Sequence, residues 1–140
     1  MWKRLNLAGQ RRLAAGAGKD GNVMRKKVFI CSPFCGDMEG NARRAAAYCR
    51  MACWEGYLPI APHLLFPQFL NEGIEAERQL GISMGLELLL RCDEVWVFGE
   101  ATEGMQAEIA FATEQGKKIR FMEGGSADAG SDGADAGYGL

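Results

Sequence analysis

The residues best suited to chemistry in this sequence of 140 residues lie in Thr102-Glu103-Gly104-Met105-Gln106-Ala107-Glu108. The segment follows the apolar run Glu94-Val95-Trp96-Val97-Phe98 and then Gly99, so it reads as the opening of a helix after a strand. Thr102 can cap that helix, and Gly104 lets another group approach the backbone closely. Free N–H groups and the positive end of the helix dipole would then face a cleft. Glu108 falls about a turn and a half inside, where its carboxylate can point back to the same cleft. So placed, it could attack an electrophilic sugar carbon or bind a pair of ribose hydroxyls. The competing reading makes Glu103 a favourable first-turn residue and Glu108 a solvated one.

Two further segments carry unusual residues. Ser32-Pro33-Phe34-Cys35-Gly36-Asp37, with Asn41 near the next helix start, puts small and polar groups just after an apolar run. That suits a phosphate or sugar hydroxyl held at a helix N-terminus, or simply a turn and cap. The spacing is neither a dinucleotide fingerprint nor a P-loop. Ala61-Pro62-His63-Leu64-Leu65-Phe66-Pro67-Gln68-Phe69 holds the single histidine of the chain. His63 could act as a general acid, stack on a base, or bond to backbone as a structural residue. Phe66 and Phe69 could wall a site for a flat ring or pin the loop to the core. Glu75, Glu77 and Arg78 read as a solvated first helical turn.

These segments need elements to hold them, and the middle of the chain supplies an alternation. Val28–Cys31, Leu58–Ala61, Glu94–Phe98 and Lys118–Met122 read as short buried strands. Asn41–Glu55, stopped by Gly56, reads as a helix, as do Ile74–Arg91 and Glu103–Gln115, the last stopped by Gly116. Leu80, Met84 and Leu88 are the expected apolar face of the long helix, and residues 62–73 are expected to be loop. Strands separated by helices imply crossovers and a parallel sheet covered on both faces. Such sheets bind ligands at the carboxyl ends of their strands, where strand order reverses. The loops at 32–41, 62–73 and 99–104 therefore define the expected site.

Composition narrows the function. About half the residues are apolar, and a net charge of -2 argues against a general nucleic-acid binder. No apolar run reaches membrane-spanning length, and the start lacks the apolar core of a secretory signal, so a cytoplasmic protein is expected. Five cysteines, Cys31, Cys35, Cys49, Cys53 and Cys92, form neither a disulfide framework nor metal-ligand spacing and read as buried free thiols. Residues 1–26 are expected to be a flexible extension, with Met24 before Arg25-Lys26-Lys27 resembling a natural start. Residues 124–140, built of Gly, Ala, Ser and Asp, are expected to be disordered, which leaves 27–123 as the folded domain.

Taken together, Val28-Phe29-Ile30-Cys31-Ser32-Pro33, Pro62-His63-Leu64-Leu65-Phe66-Pro67-Gln68-Phe69, Arg91 to Gly99 and Glu103-Gly104-Met105-x-x-Glu108-Ile109 resemble a bacterial and phage domain family of unassigned function. That family is similar to nucleoside 2-deoxyribosyltransferases and the related deoxynucleotide N-hydrolases. The resemblance spans about Lys27 to Met122. It implies a flavodoxin-like, Rossmann-like three-layer sandwich with a small parallel sheet of four or five strands, often assembled as a homodimer or higher oligomer. It also implies that Glu108 attacks the anomeric carbon of a deoxynucleoside, the base departing and a second base or water taking the sugar. Phe34 stands where many relatives carry tyrosine. Gly85, eight residues before Asp93, and Thr102, six before Glu108, stand where the transferases carry aspartates that hold the base, the sugar or the transferring proton.

The expected activity is thus cleavage or exchange of the N-glycosidic bond of a nucleoside or nucleotide, with no metal or cofactor. Glu108 would be the nucleophile and His63 the acid. Ser32, Pro33, Phe34, Gly36, Asn41, Phe66, Gly99, Thr102, Glu103, Gly104 and Met105 would line the ligand site. The alternative is a module that keeps the nucleotide site without catalysis, as a sensor or sequestering protein.

Overall fold

Two strands carry the centre of the molecule. β1 (Lys27–Cys31) is buried at every residue after the first, and β3 (Glu94–Phe98) at every residue. Their apolar runs have no polar alternation, as expected of strands covered on both faces. They pair in parallel, Val28 opposite Glu94 and Cys31 opposite Val97. Asp93 fixes the register from below, since its backbone N–H donates to the Lys27 carbonyl and its carboxylate accepts from the Lys27 N–H, both at 2.8 Å. The computed structural model describes residues 24–122. The tail expected at 124–140, and the extension expected at 1–26 apart from its last three residues, lie outside them.

β2 (Leu58–Ile60) and β4 (Lys118–Met122) complete a four-stranded, all-parallel sheet in the order β2-β1-β3-β4. As edge strands they are less buried, with Leu58 and Phe121 exposed. α1 (Met38–Trp54) crosses from β1 to β2, α2 (Pro62–Leu65) is a short helix after β2, α3 (Glu75–Leu90) leads back past β1 to β3, and α4 (Glu103–Glu114) joins β3 to β4. The chain therefore steps outward on one side of β1, then reverses and builds the other side. Alternation along the strands separates two cores. Val28, Ile30, Trp96 and Phe98 pack with Tyr48 and Ala52 of α1, whereas Phe29, Cys31, Val95 and Val97 pack with Leu89 of α3 and Met105 and Ala112 of α4. This is the α/β three-layer arrangement expected, and strand order reverses between β1 and β3.

Local chemistry moved several boundaries. α1 starts at Met38, three residues before the expected Asn41, because the Asp37 carboxylate accepts from the Gly40 N–H at 3.1 Å and satisfies the first turn. Residues 62–68 are not loop. Pro62 suits the first position of α2 because it lacks the N–H that would be unpaired there, and a 3-10 turn follows at Phe66–Gln68. The buried side of α3 is Gly85 and Leu89, whereas Leu80, from the expected apolar face, is 49% exposed. Polar residues (Glu75, Glu77, Arg78, Gln79, Ser83, Glu87) and apolar ones are mixed around this helix, so its periodicity could not distinguish the face that meets the sheet. Ile82 and Leu90 are exposed on it as well.

At the opposite end of β3 the Glu94 carboxylate is buried beneath the sheet edge. It accepts from Trp96 Nε1 at 2.9 Å and from the Tyr57 hydroxyl at 3.2 Å, and the Arg120 guanidinium lies 4.6 Å over the Trp96 ring. Burial of a carboxylate is tolerated here because both oxygens have donors. The group serves the amino ends of the strands, away from the carboxyl ends where the candidate site lies.

Candidate functional site

The last residue of β1 and the first residue after it reach two different helices. Cys31 Sγ donates to Glu108 Oε1 at 3.2 Å and also faces the Met105 carbonyl at 4.0 Å. Ser32 Oγ and His63 Nε2 are hydrogen-bonded at 3.1 Å. Consecutive Cα atoms are about 3.8 Å apart, so a carboxylate from α4 and an imidazole from α2 are anchored on neighbouring points of one strand end. That strand end borders the reversal between β1 and β3.

Glu108 reaches this place because of Met105. Met105 is buried in the core beneath α4, and a residue three positions on lies over the same face of the helix. Glu108 is half-buried there. Its carboxyl is pushed up to about 7, chiefly because burial disfavours the charged form, while the hydrogen bond from Cys31 pulls the other way. Cys31 is fully buried, and its thiol is pushed far above the ordinary range by burial and by the neighbouring carboxylate. It stays protonated and acts as a donor. The helix is capped as expected: Thr102 Oγ accepts from the Met105 N–H at 3.3 Å. The Thr102 N–H in turn meets the Met105 sulfur at 3.5 Å, a thioether where a capping box usually has a carboxylate or amide. Glu103 and Gly104 are exposed on the first turn, and nothing lies within 4 Å of where a Cβ at Gly104 would stand.

His63 is half-buried, and burial lowers its pKa to about 4, so the ring is neutral near pH 7. Phe34 lies beside it, with ring centroids 5.8 Å apart and planes tilted by 54°. The loop that carries Ser32 and Phe34 is fixed from α1. Asn41 Nδ2 donates to the carbonyls of Phe34 at 3.1 Å and Cys35 at 2.9 Å, and Asn41 Oδ1 accepts from Arg44 at 2.9 Å. Gly36 has φ +94°, which lets the loop turn into that helix. On the other side of the reversal Gly99, at φ +78°, presents its bare Cα to the Pro33 ring. The two loops therefore meet, Pro33 against Gly99.

Phe66 is half-buried and pairs edge-to-face with Phe69 at 5.9 Å, and Phe69 is 61% exposed. The cysteines are all free, yet Cys35 is exposed, against the expectation of burial, because it sits on the outer turn of the first loop. Cys31 is the residue that sequence reasoning passed over. Its type suggested only a buried thiol, and its position at the end of the first strand was the available signal. Among the described residues, no group of three or more His, Cys, Asp or Glu side chains could hold a metal ion, and no helix is long and apolar enough to cross a membrane.

A parallel α/β sheet with side chains gathered at its reversal point defines the class of protein. More narrowly, the chain belongs to the family described as domain of unknown function DUF7768, whose pattern it matches over residues 26–122. A search of the curated proteins gave no match.

Proposed function

We propose that this domain binds a nucleoside or nucleotide at the carboxyl ends of β1 and β3 and cleaves or exchanges its N-glycosidic bond through Glu108. The observation that carries the reading is the Glu108 carboxylate, half-buried at the strand-order reversal and held by a neutral donor rather than by a cation. Among the described residues Glu108 has no ion-pair partner, which leaves its nucleophilicity undiminished, and a carboxylate withdrawn from water needs little desolvation before attack. The resemblance to nucleoside 2-deoxyribosyltransferases and deoxynucleotide N-hydrolases supplies the chemistry. One Glu108 oxygen bonds to the anomeric carbon as the C–N bond breaks, and the electron pair leaves with the base, which takes up a proton. Water or a second base then displaces the glutamate, as in a retaining glycosidase. A 2-deoxy sugar is favoured, because a 2-hydroxyl disfavours the oxocarbenium-like transition state.

In this proposal Ser32, Phe34 and Gly104 border the sugar and base, with Asn41 holding the first loop. His63 is the candidate proton donor. Burial raises Glu108 to about 7 and lowers His63 to about 4, so ionised glutamate and cationic histidine rarely coexist. Delivery of a proton from His63 would therefore be an acid-side activity. The exposed apolar residues Leu80, Ile82 and Leu90 of α3 support a further part of the proposal, self-association into a homo-oligomer.

A second reading, a nucleotide-binding module without turnover, is favoured by two positions. The Thr102 hydroxyl is engaged in the helix cap, and Gly85 brings no side chain at all. One experiment separates the two. The purified protein is incubated with deoxynucleosides, ribonucleosides and their monophosphates, with and without a free second base, and the products are resolved by chromatography. Glycosyl transfer predicts free base or an exchanged nucleoside, abolished in Glu108→Ala. Thermal stabilisation by one member of the panel without product would establish the binding module instead.

A further inference from the structure

Cys31 is a buried thiol that the proposed reaction does not consume, and it is in direct contact with the group that would do the work. We propose that Cys31 is the positioning residue for Glu108: its S–H holds Oε1 in place, so that the other carboxylate oxygen is the one presented to the anomeric carbon. The inference rests on the reading of Glu108 as nucleophile.

The geometry supports it in three ways. The Sγ to Oε1 distance of 3.2 Å is short for a sulfur donor, and among the described residues the thiol's other acceptor is the Met105 carbonyl, at 4.0 Å. Cys31 itself cannot drift, because it is fully buried in the central strand and paired in register with Val97. Glu108 is fixed from its own side by Met105, one turn earlier in the core. A carboxylate can rotate about its last bond, and one directional donor on a rigid strand removes that freedom before substrate arrives. The donor is also weak and uncharged. It orients the oxygen without stabilising the anion as a lysine or arginine would, so little nucleophilicity is given up. The proton stays on sulfur throughout. In the glycosyl-enzyme ester, the same S–H faces what has become the ester carbonyl oxygen.

The test compares Cys31→Ser, which keeps a donor, with Cys31→Val, which fills the space and removes it. The Glu108 carboxyl is titrated by NMR with carbon-13-labelled glutamate, and the pH dependence of kcat/KM is measured on the best substrate of the panel. Thermal melts show that each variant folds. Cys31→Val should raise the Glu108 midpoint by about half to one pH unit, move the acid limb of kcat/KM with it, and lower kcat more than it raises KM. Cys31→Ser should restore both to the wild-type position or below. One unchanged midpoint in all three proteins would overturn the proposal and leave Cys31 as packing. A midpoint that follows the donor, in a protein whose turnover survives Glu108→Ala, would overturn the reading of Glu108 as nucleophile, and with it the catalytic part of the inference.

Discussion

Ser32 Oγ and His63 Nε2 lie 3.1 Å apart, which ties the end of β1 to the helical turn that follows β2. The bond suits a neutral ring, and burial keeps the ring neutral by lowering its pKa from 6.5 to about 4. A histidine buried in this way contributes stability that is complete above pH 6.5 and is lost as pH falls toward 4. Glu108 runs the other way. Its carboxyl is raised from 4.5 to about 7, so its contribution is complete below pH 4.5 and is lost as pH rises through about 7. Each effect is on the order of 3 kcal/mol, and over the shared interval the two trends oppose. Urea unfolding from pH 4 to 8 should therefore unmask each group in a variant. Relative to wild type, Glu108→Gln gains stability as pH rises, and His63→Asn gains it as pH falls. Difference curves flat with pH would remove both assignments.

Turnover should follow the ionised form of Glu108. Where water protonates the departing base, kcat/KM on any substrate of the panel is expected to rise with pH and level off above about 7, where the carboxyl titrates, whereas a proton taken from cationic His63 would make it fall above that pH. Initial rates across pH 5 to 9 check this directly. A profile already level from pH 5 upward would mean that Glu108 is not the group that must lose its proton.

Asn41 supports the site by holding its first loop. Asn41→Ala leaves the carbonyls of Phe34 and Cys35 without their donor, and a loss of about 1 to 3 kcal/mol is expected. Asn41→Asp should be worse, since it sets a carboxylate oxygen against two carbonyl oxygens. Chemical denaturation gives the stability, and the ligand-induced melting shift should fall in both variants as the loop at residues 32–37 loosens.

Gly99 should resist replacement for a backbone reason. At φ +78° an L side chain is strained, and Gly99→Ala should cost about 1 to 2 kcal/mol. The new Cβ would stand 3.5 Å from the Pro33 ring, an ordinary contact, so the loss comes from conformation and not from a clash. Gly85→Ala in α3 makes the contrast: its position is buried but open, and a helix prefers alanine to glycine by about 1 kcal/mol. Denaturation midpoints should move in opposite directions for the two variants.

If the exposed side of α3 is where copies associate, Leu80→Lys combined with Ile82→Lys should lower the mass observed by light scattering while the melting temperature of the domain is held. Both residues are about half exposed, so the substitutions disturb little of the core. An unchanged mass would clear this face of that role.

Much of this was readable along the chain. The strands at 94–98 and 118–122 have the expected limits, because a short apolar run bounded by polar or glycine residues has few other ways to satisfy its backbone. The Thr102 cap was legible because a hydroxyl beside the first helical turn has an obvious use. The face of α3 was not legible, since a helix with polar and apolar residues mixed around its axis carries little directional signal. The 62–68 turns were hidden by prolines and aromatics that suit loop and helix start alike. Nor could spacing show that the Phe66 ring meets Phe69 edge-to-face.

By itself, the sequence determined an alternating α/β chain, a carboxylate early in the last helix, and three loops at strand ends. Local periodicity and capping chemistry are enough for that. Only the tertiary structure decided which loops meet. The order β2-β1-β3-β4 places the end of β1 beside the end of β3, and strand alternation sends Cys31 to α4 while Ser32 meets His63. Those contacts join residues 77 and 31 positions apart, and no local pattern encodes a pairing that exists only once the sheet has closed around its core.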